Sequence, residues 1–209
     1  MKVRILPVLL LGALWFASAC NQPAKQQEAP QESDALAAFM EQVEPIIVVK
    51  MHLFPLANVA EASEYPYSGT PVTEAQAALL DDALKAHLEN EGLWVCYKVQ
   101  DDLLIFRTGG GDTHSKLVLA RANHDTGKIE QLDVVAWYTC DEQGCDHQEA
   151  WLADLDLDNH LELVLRHQKK DASGNLIADE YTVLTQKGDG NFQPGLDSLL
   201  VKENYKMSM

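Results

Sequence analysis

Hydrophobic positions along this chain change spacing at Gly92: before it they recur three or four apart, after it they come as short β-rich runs. Leu36, Phe39, Met40 and Val43 stand at i, i+3, i+4 and i+7 behind Ser33, whose hydroxyl can accept from a first helical turn. A short helix is therefore predicted up to Pro45. A second is predicted over about 74–91, where Thr73 and Gln76 form a capping box, Ala77, Leu80, Leu84 and Leu88 make a stripe, and Gly92 terminates. His87 lies beside that stripe and reads as a half-buried core histidine rather than a ligand. Between the helices, the β-branched run 46–54 predicts a strand, with a continued helix as the alternative, and 65–71 is a proline-stiffened loop.

Beyond Gly92 the runs 93–99, 103–107, 116–121, 129–139, 161–167 and 180–186 read as strands. Asp101-Asp102, Gly109 to Asp112, Asp125-Thr126-Gly127 and Ser173-Gly174-Asn175 punctuate them. With no helix between strands, the sheet is expected to be an antiparallel meander. The fold class is α+β, predominantly antiparallel β with two packed N-terminal helices.

The first nineteen residues stand apart from this pattern. Met1-Lys2-Val3-Arg4 precedes an apolar run from Ile5 to Phe16, which is shorter than the roughly 20 residues a membrane span needs and reads as a secretory leader. Ala17-Ser18-Ala19-Cys20 then resembles the bacterial lipoprotein signal, with Ala17 where leucine is commonest. The resemblance implies cleavage before Cys20, lipid on its sulfur and an acylated amino terminus, which together anchor the chain stably to a membrane. Asn21 in place of aspartate implies the outer membrane, inner leaflet, facing the periplasm. An ordinary signal peptide is the plainer alternative. Residues 20–33 are polar and proline-spaced, a flexible tether, and 34–209 suit one globular domain.

The chain holds 32 acidic and 16 basic residues, and loss of Lys2 and Arg4 with the leader leaves 14 basic. Such a balance disfavours nucleic acid and anionic lipid, and suits a cationic partner, divalent ions or plain solubility. With Cys20 lipidated, Cys96, Cys140 and Cys145 remain. Cys140 and Cys145 have the spacing of a disulfide across a hairpin loop, with a zinc site including His147 as the alternative, and Cys96 reads as a core residue.

One segment concentrates chemistry. Asp154, Asp156, Asp158 and Glu162 occupy positions 1, 3, 5 and 9 of a loop in which His160, at position 7, would offer its backbone carbonyl. Alternate carboxylates on a curled backbone can meet the six to eight oxygens, at roughly 2.3–2.6 Å, that Ca2+ takes. An EF-hand is disfavoured because positions 6 and 12 hold Asn159 and Leu165 in place of glycine and glutamate. A solvated acidic turn is the bland alternative, in which four carboxylates would repel one another.

The loop resembles the calcium motif D-x-[DN]-x-D-G-x-x-D-[LI] of FG-GAP or VCBS repeats, with Asn159 and Glu162 as its departures, and Gly188-Asp189-Gly190-Asn191-Phe192 resembles the family's following turn. The likeness covers about 150–194 in a single copy. It implies a structural Ca2+ and a partial propeller-like sheet, short of a whole propeller. A weaker likeness is to periplasmic lysozyme-inhibitor and effector-immunity lipoproteins, although the S-G-x-Y inhibitory loop is missing: Thr70-Pro71 follows Ser68-Gly69, and Asn175-Leu176 follows Ser173-Gly174.

Enzyme signatures are lacking: there is no G-x-S-x-G, H-E-x-x-H or Walker lysine loop, and no P-C-x-x-C accompanies His160-Leu161-Glu162. The expected function is a non-enzymatic, calcium-braced interaction module in the cell envelope. The alternatives are an inhibitor or immunity protein against a cationic cell-wall hydrolase, and an envelope hydrolase. Candidate contact loops are 65–71, with Tyr65, Tyr67 and Ser68, and 109–114, with Asp112 and His114.

Overall fold

The computed structural model describes residues 32–57, 67–109 and 114–208. The leader, Cys20, the tether, Tyr65 and Asp112 lie outside the described residues. Helix α1 spans Glu32–Gln42, so Ser33 falls inside its first turn and does not precede it. The single helix expected over 74–91 is two: α2, Glu74–Ala77, and α3, Asp82–Glu91. Asp81 causes the break. Its Oδ1 accepts from Leu84 N at 2.8 Å, capping a new helix, and its Oδ2 accepts from Gln131 N at 2.8 Å. Its own amide donates to Ile129 O, which ties the break to the sheet. Among the described residues three α-helices therefore replace the expected two.

The strands are β1 Lys50–Leu53, β2 Thr70–Pro71, β3 Leu93–Lys98, β4 Leu103–Thr108, β5 Leu117–Asn123, β6 Lys128–Asp141, β7 Gly144–Ala153, β8 Glu162–Asp171, β9 Leu176–Gln186 and β10 Phe192–Pro194. They form one open antiparallel sheet in which β2 to β10 lie in chain order, a meander, while β1 pairs with β7. The run 46–54 is divided: Ile46 N bonds Lys98 O at the end of β3, and only residues 50–53 reach β7.

Strand β6 joins two halves of this sheet, pairing with β5 as far as Ala136 and with β7 from Trp137. Side-chain alternation then sorts the core. Tyr97, Leu103, Ile105, Leu117 and Leu119 of the first half pack with Met51, Leu53, Ala150, Leu152, Leu163 and Leu165 of the second. The opposite face of the first half, Leu93, Val95, Leu104, Phe106, Val118 and Ala120, clusters with Leu36, Phe39, Met40, Leu79, Leu80 and Leu84. Buried on both faces, β4 and β5 read as continuous apolar runs. The outer face of the second half holds Trp151, Val164 and Val183, covered by Leu200, Tyr205 and Met207 of the C-terminal segment.

A two-residue turn, Glu142-Gln143, links β6 to β7, and Cys140 and Cys145 stand opposite each other beside it in the expected disulfide. Gly144 is obligatory there: it adopts φ 142°, and a Cβ would stand 2.0 Å from Lys170 O. Cys96 is buried with a free thiol, and burial pushes that thiol up to about 12.

Candidate metal centre

The loop 154–161 connects β7 to β8 and is pinned at its base by the pair Ala153 and Glu162. Two non-glycine residues curl it, Leu157 at φ 63° and Asn159 at φ 68°. Asparagine tolerates this left-handed region; an exposed leucine there is strained. The carboxylate of Asp154 accepts from the amides of Asp158 and Asn159, each at 3.1 Å, so the curl wraps around the first aspartate. Oxygens of Asp154, Asp156 and Glu162 then lie within 4.8 Å of one another. Opposed oxygens on a single calcium ion stand up to about 5 Å apart, so this spacing suits such an ion.

Glu162 is the uncommon member. It is 0% exposed, Oε2 accepts from Leu155 N at 2.7 Å, and Oε1 is buried without a partner. Burial raises its pKa, and the charges of Asp156, Asp158 and Asp154 raise it further against the single Leu155 donor. A buried carboxylate with one oxygen unpartnered and two more carboxylates close by is unfavourable unless protonated or paired with a cation.

The remaining two expected ligands are placed differently. Asp158 is outside the close group: its Oδ1 accepts from His160 N at 2.8 Å, the first cause of its lowered pKa, and stands 3.4 Å from His160 Nδ1. The His160 ring is thus turned toward Asp158 at the rim. A further residue, unmarked by any local sequence pattern, anchors the loop. Gln186 is 6% exposed; its amide and side chain bond Leu161 O and N at 2.9 and 3.2 Å, and its Nε2 reaches Gln100 Oε1 at 2.7 Å. The end of the loop is thereby tied to the β3–β4 turn.

The expected contact loops fare unevenly. Tyr67 is buried at 3% exposure, its phenol pushed up by burial and its oxygen accepting from Phe54 N at 3.2 Å, so it belongs to the core and offers no contact surface. Ser68 is partly exposed, with its hydroxyl 3.4 Å from that of Tyr97. His114 packs on Tyr138, ring centroids 4.5 Å apart, and its pKa is lowered by burial and by His147. His87 is half-buried with a lowered pKa, as a core histidine would be. No helix among the described residues is long and apolar enough to cross a membrane. No protein-family model, no curated protein and no solved structure matches this chain.

Proposed function

We infer that this chain is a lipid-anchored envelope protein whose β domain is braced by Ca2+ and serves as a non-enzymatic interaction module. The carrying observation is Glu162, whose Oε1 is buried without a hydrogen-bond partner and whose carboxylate lies within 4.8 Å of those of Asp154 and Asp156. Three carboxylates supply a divalent ion with charge and some of its oxygens; Asp158, the His160 carbonyl and water would have to add others. The ion's role is structural, holding the β7–β8 connection in its curled form and, through Gln186, against the first half of the sheet.

The unit 150–194 fits a single FG-GAP-like repeat: the loop is followed by paired strands, then by the tight turn in which Gly190 takes φ 79° and Asn191 N returns to Asp189 Oδ1 at 3.0 Å. Anchoring through Cys20 would place the domain on the periplasmic side of the outer membrane. The excess of acidic residues favours a cationic partner, a cell-wall hydrolase among them.

Calorimetric titration tests the brace: one Ca2+ per chain is expected, with an affinity near 10⁻⁴–10⁻³ M as an order of magnitude, lost in Asp154→Asn/Asp156→Asn. No heat from the wild type would sink the reading. Labelling with radioactive palmitate tests the anchor, and label retained by Cys20→Ser would contradict it. Mixing with cationic lysozyme-like enzymes tests the inhibitor alternative, which falls if lysis is undiminished.

A further inference from the structure

The hairpin that joins β6 to β7 carries a reactive group that the calcium loop does not use. Beyond Ala136 strand β6 leaves β5, so its last residues pair with β7 on one side and, among the described residues, with no strand on the other. Cys140 stands in this edge stretch and is exposed. Cys145 lies one strand further in, half-buried, with Cys140 opposite it on β6 and Lys170 opposite it on β8. Alternation puts Tyr138, Cys140, Cys145, His147 and Lys170 on one face.

The two sulfurs of the disulfide are chemically unequal. The Tyr138 hydroxyl donates to Cys145 Sγ at 3.3 Å, and Lys170 lines the same hollow as Tyr138 and Cys145. A hydroxyl gains little from a disulfide sulfur and far more from a thiolate, so donor and ammonium are aimed where charge collects if the bond breaks toward Cys145. Disulfides are broken by a thiolate that attacks one sulfur in line with the bond and expels the other. The line through Cys140 leads out past the free edge of β6, whereas the line through Cys145 leads into β8 and Lys170. Cys140 is therefore the sulfur open to attack, and Cys145 the leaving group.

The fold does not depend on the bond. Stabilisation by a disulfide grows with the length of the loop it closes, and these two cysteines are only 5 residues apart in sequence. Thr139 with Asp146 and Asp141 with Gly144 keep the hairpin paired on either side of it, and β8 holds β7 from the other side.

We propose that Cys140 and Cys145 form a thiol-exchange site that takes two electrons from a dithiol partner. The partner's thiolate attacks Cys140 Sγ, a mixed disulfide forms, and the Cys140–Cys145 bond breaks with its electron pair on Cys145, where Tyr138 and Lys170 stabilise the thiolate. The partner's second thiolate then attacks its own sulfur in the mixed disulfide and expels the Cys140 thiolate. The partner leaves with a new disulfide, and the two protons its thiols gave up are balanced by those that Cys140 and Cys145 take from solvent. The site stands whether or not the Asp154–Glu162 loop holds calcium.

The test treats the full chain with dithiothreitol at neutral pH, quenches with a maleimide and maps Cys140 and Cys145 by peptide mass spectrometry. The disulfide should open at least about tenfold faster than oxidised glutathione under the same conditions, with the circular dichroism spectrum unchanged by reduction. Tyr138→Phe should slow opening about tenfold, the size of one hydrogen bond to a charged group. Lys170→Gln, at a partly exposed position where folding is at little risk, should slow it by a smaller factor. Glutathione, a monothiol, should be caught by the quench on Cys140. Opening no faster than that of oxidised glutathione, glutathione on Cys145, loss of the circular dichroism spectrum on reduction, or a wild-type rate in either folded variant overturns the site.

Discussion

Glu149 and Glu162 sit on adjacent strands of one half-sheet, both 0% exposed, in opposite electrostatic situations. Glu149 is surrounded by donors. Burial alone would raise it, but His147, His52 and Ser208 outweigh burial and hold it at about 2. Glu162 has one amide donor and three aspartates for company, and is raised. Burial by itself therefore says nothing about the fate of a carboxylate. What faces it decides whether the fold settles its charge internally or leaves the charge for a cation.

Removing the satisfied member should do the greater damage. Glu149→Ala leaves His52 and the Ser208 amide and hydroxyl without their acceptor and His147 without the carboxylate beside it, and should destabilise by roughly 3–5 kcal/mol, as loss of one partner of a buried pair does. Thermal melting would show this as a midpoint lower by about 10 °C. A change of only a degree or two would mean that Glu149 organises nothing.

The pair should also be separable by pH. The folded pKa of Glu149 lies below its ordinary value of 4.5, so its stabilisation is present above about pH 4.5 and is lost as pH falls toward about 2. The folded pKa of Glu162 lies above its ordinary value, so its cost is absent at low pH and grows as pH rises through that pKa. In chelator, denaturant midpoints measured downward from neutrality should therefore first gain from protonation of Glu162 and then lose through Glu149. Glu162→Gln should remove the gain, and calcium should cancel it.

This contrast was only half legible in the sequence. The calcium loop could be read because its carboxylates are neighbours along the chain, and the curl at Asn159 follows from the residue itself. β7 could not: His147 and Glu149 on its outward side are polar and buried, Glu149 beneath Ser208 of the C-terminal segment, 59 residues away. A strand whose polar side is buried shows no apolar alternation for periodicity to detect. The same distance hid Gln186 and the burial of Tyr67. The helix break at Asp81 had a local signal, an aspartate able to cap, but the apolar stripe running through it dominated the reading. β4 and β5 were easy because burial on both faces leaves unbroken apolar runs.

Smaller effects sharpen the calcium half of the comparison. Asp156 is within the close group and Asp158 at the rim, so Asp156→Asn should weaken calcium binding roughly tenfold and Asp158→Asn by less. Equal losses would place Asp158 among the primary ligands. Leu157→Gly relieves a bulky left-handed residue and should stabilise the fold by about 1 kcal/mol, read from the denaturant midpoint. A loss instead would show that the leucine side chain packs in a way its 84% exposure does not suggest.

The most direct test is the melting midpoint of wild type and Glu162→Gln, each in chelator and in millimolar calcium at neutral pH. A hundredfold excess over the dissociation constant is worth about 2.7 kcal/mol, so the wild-type midpoint should rise by roughly 5–10 °C with calcium. Glu162→Gln should not respond. Equal wild-type midpoints in the two conditions, or a Glu162→Gln variant that responds as fully as wild type, would contradict the account.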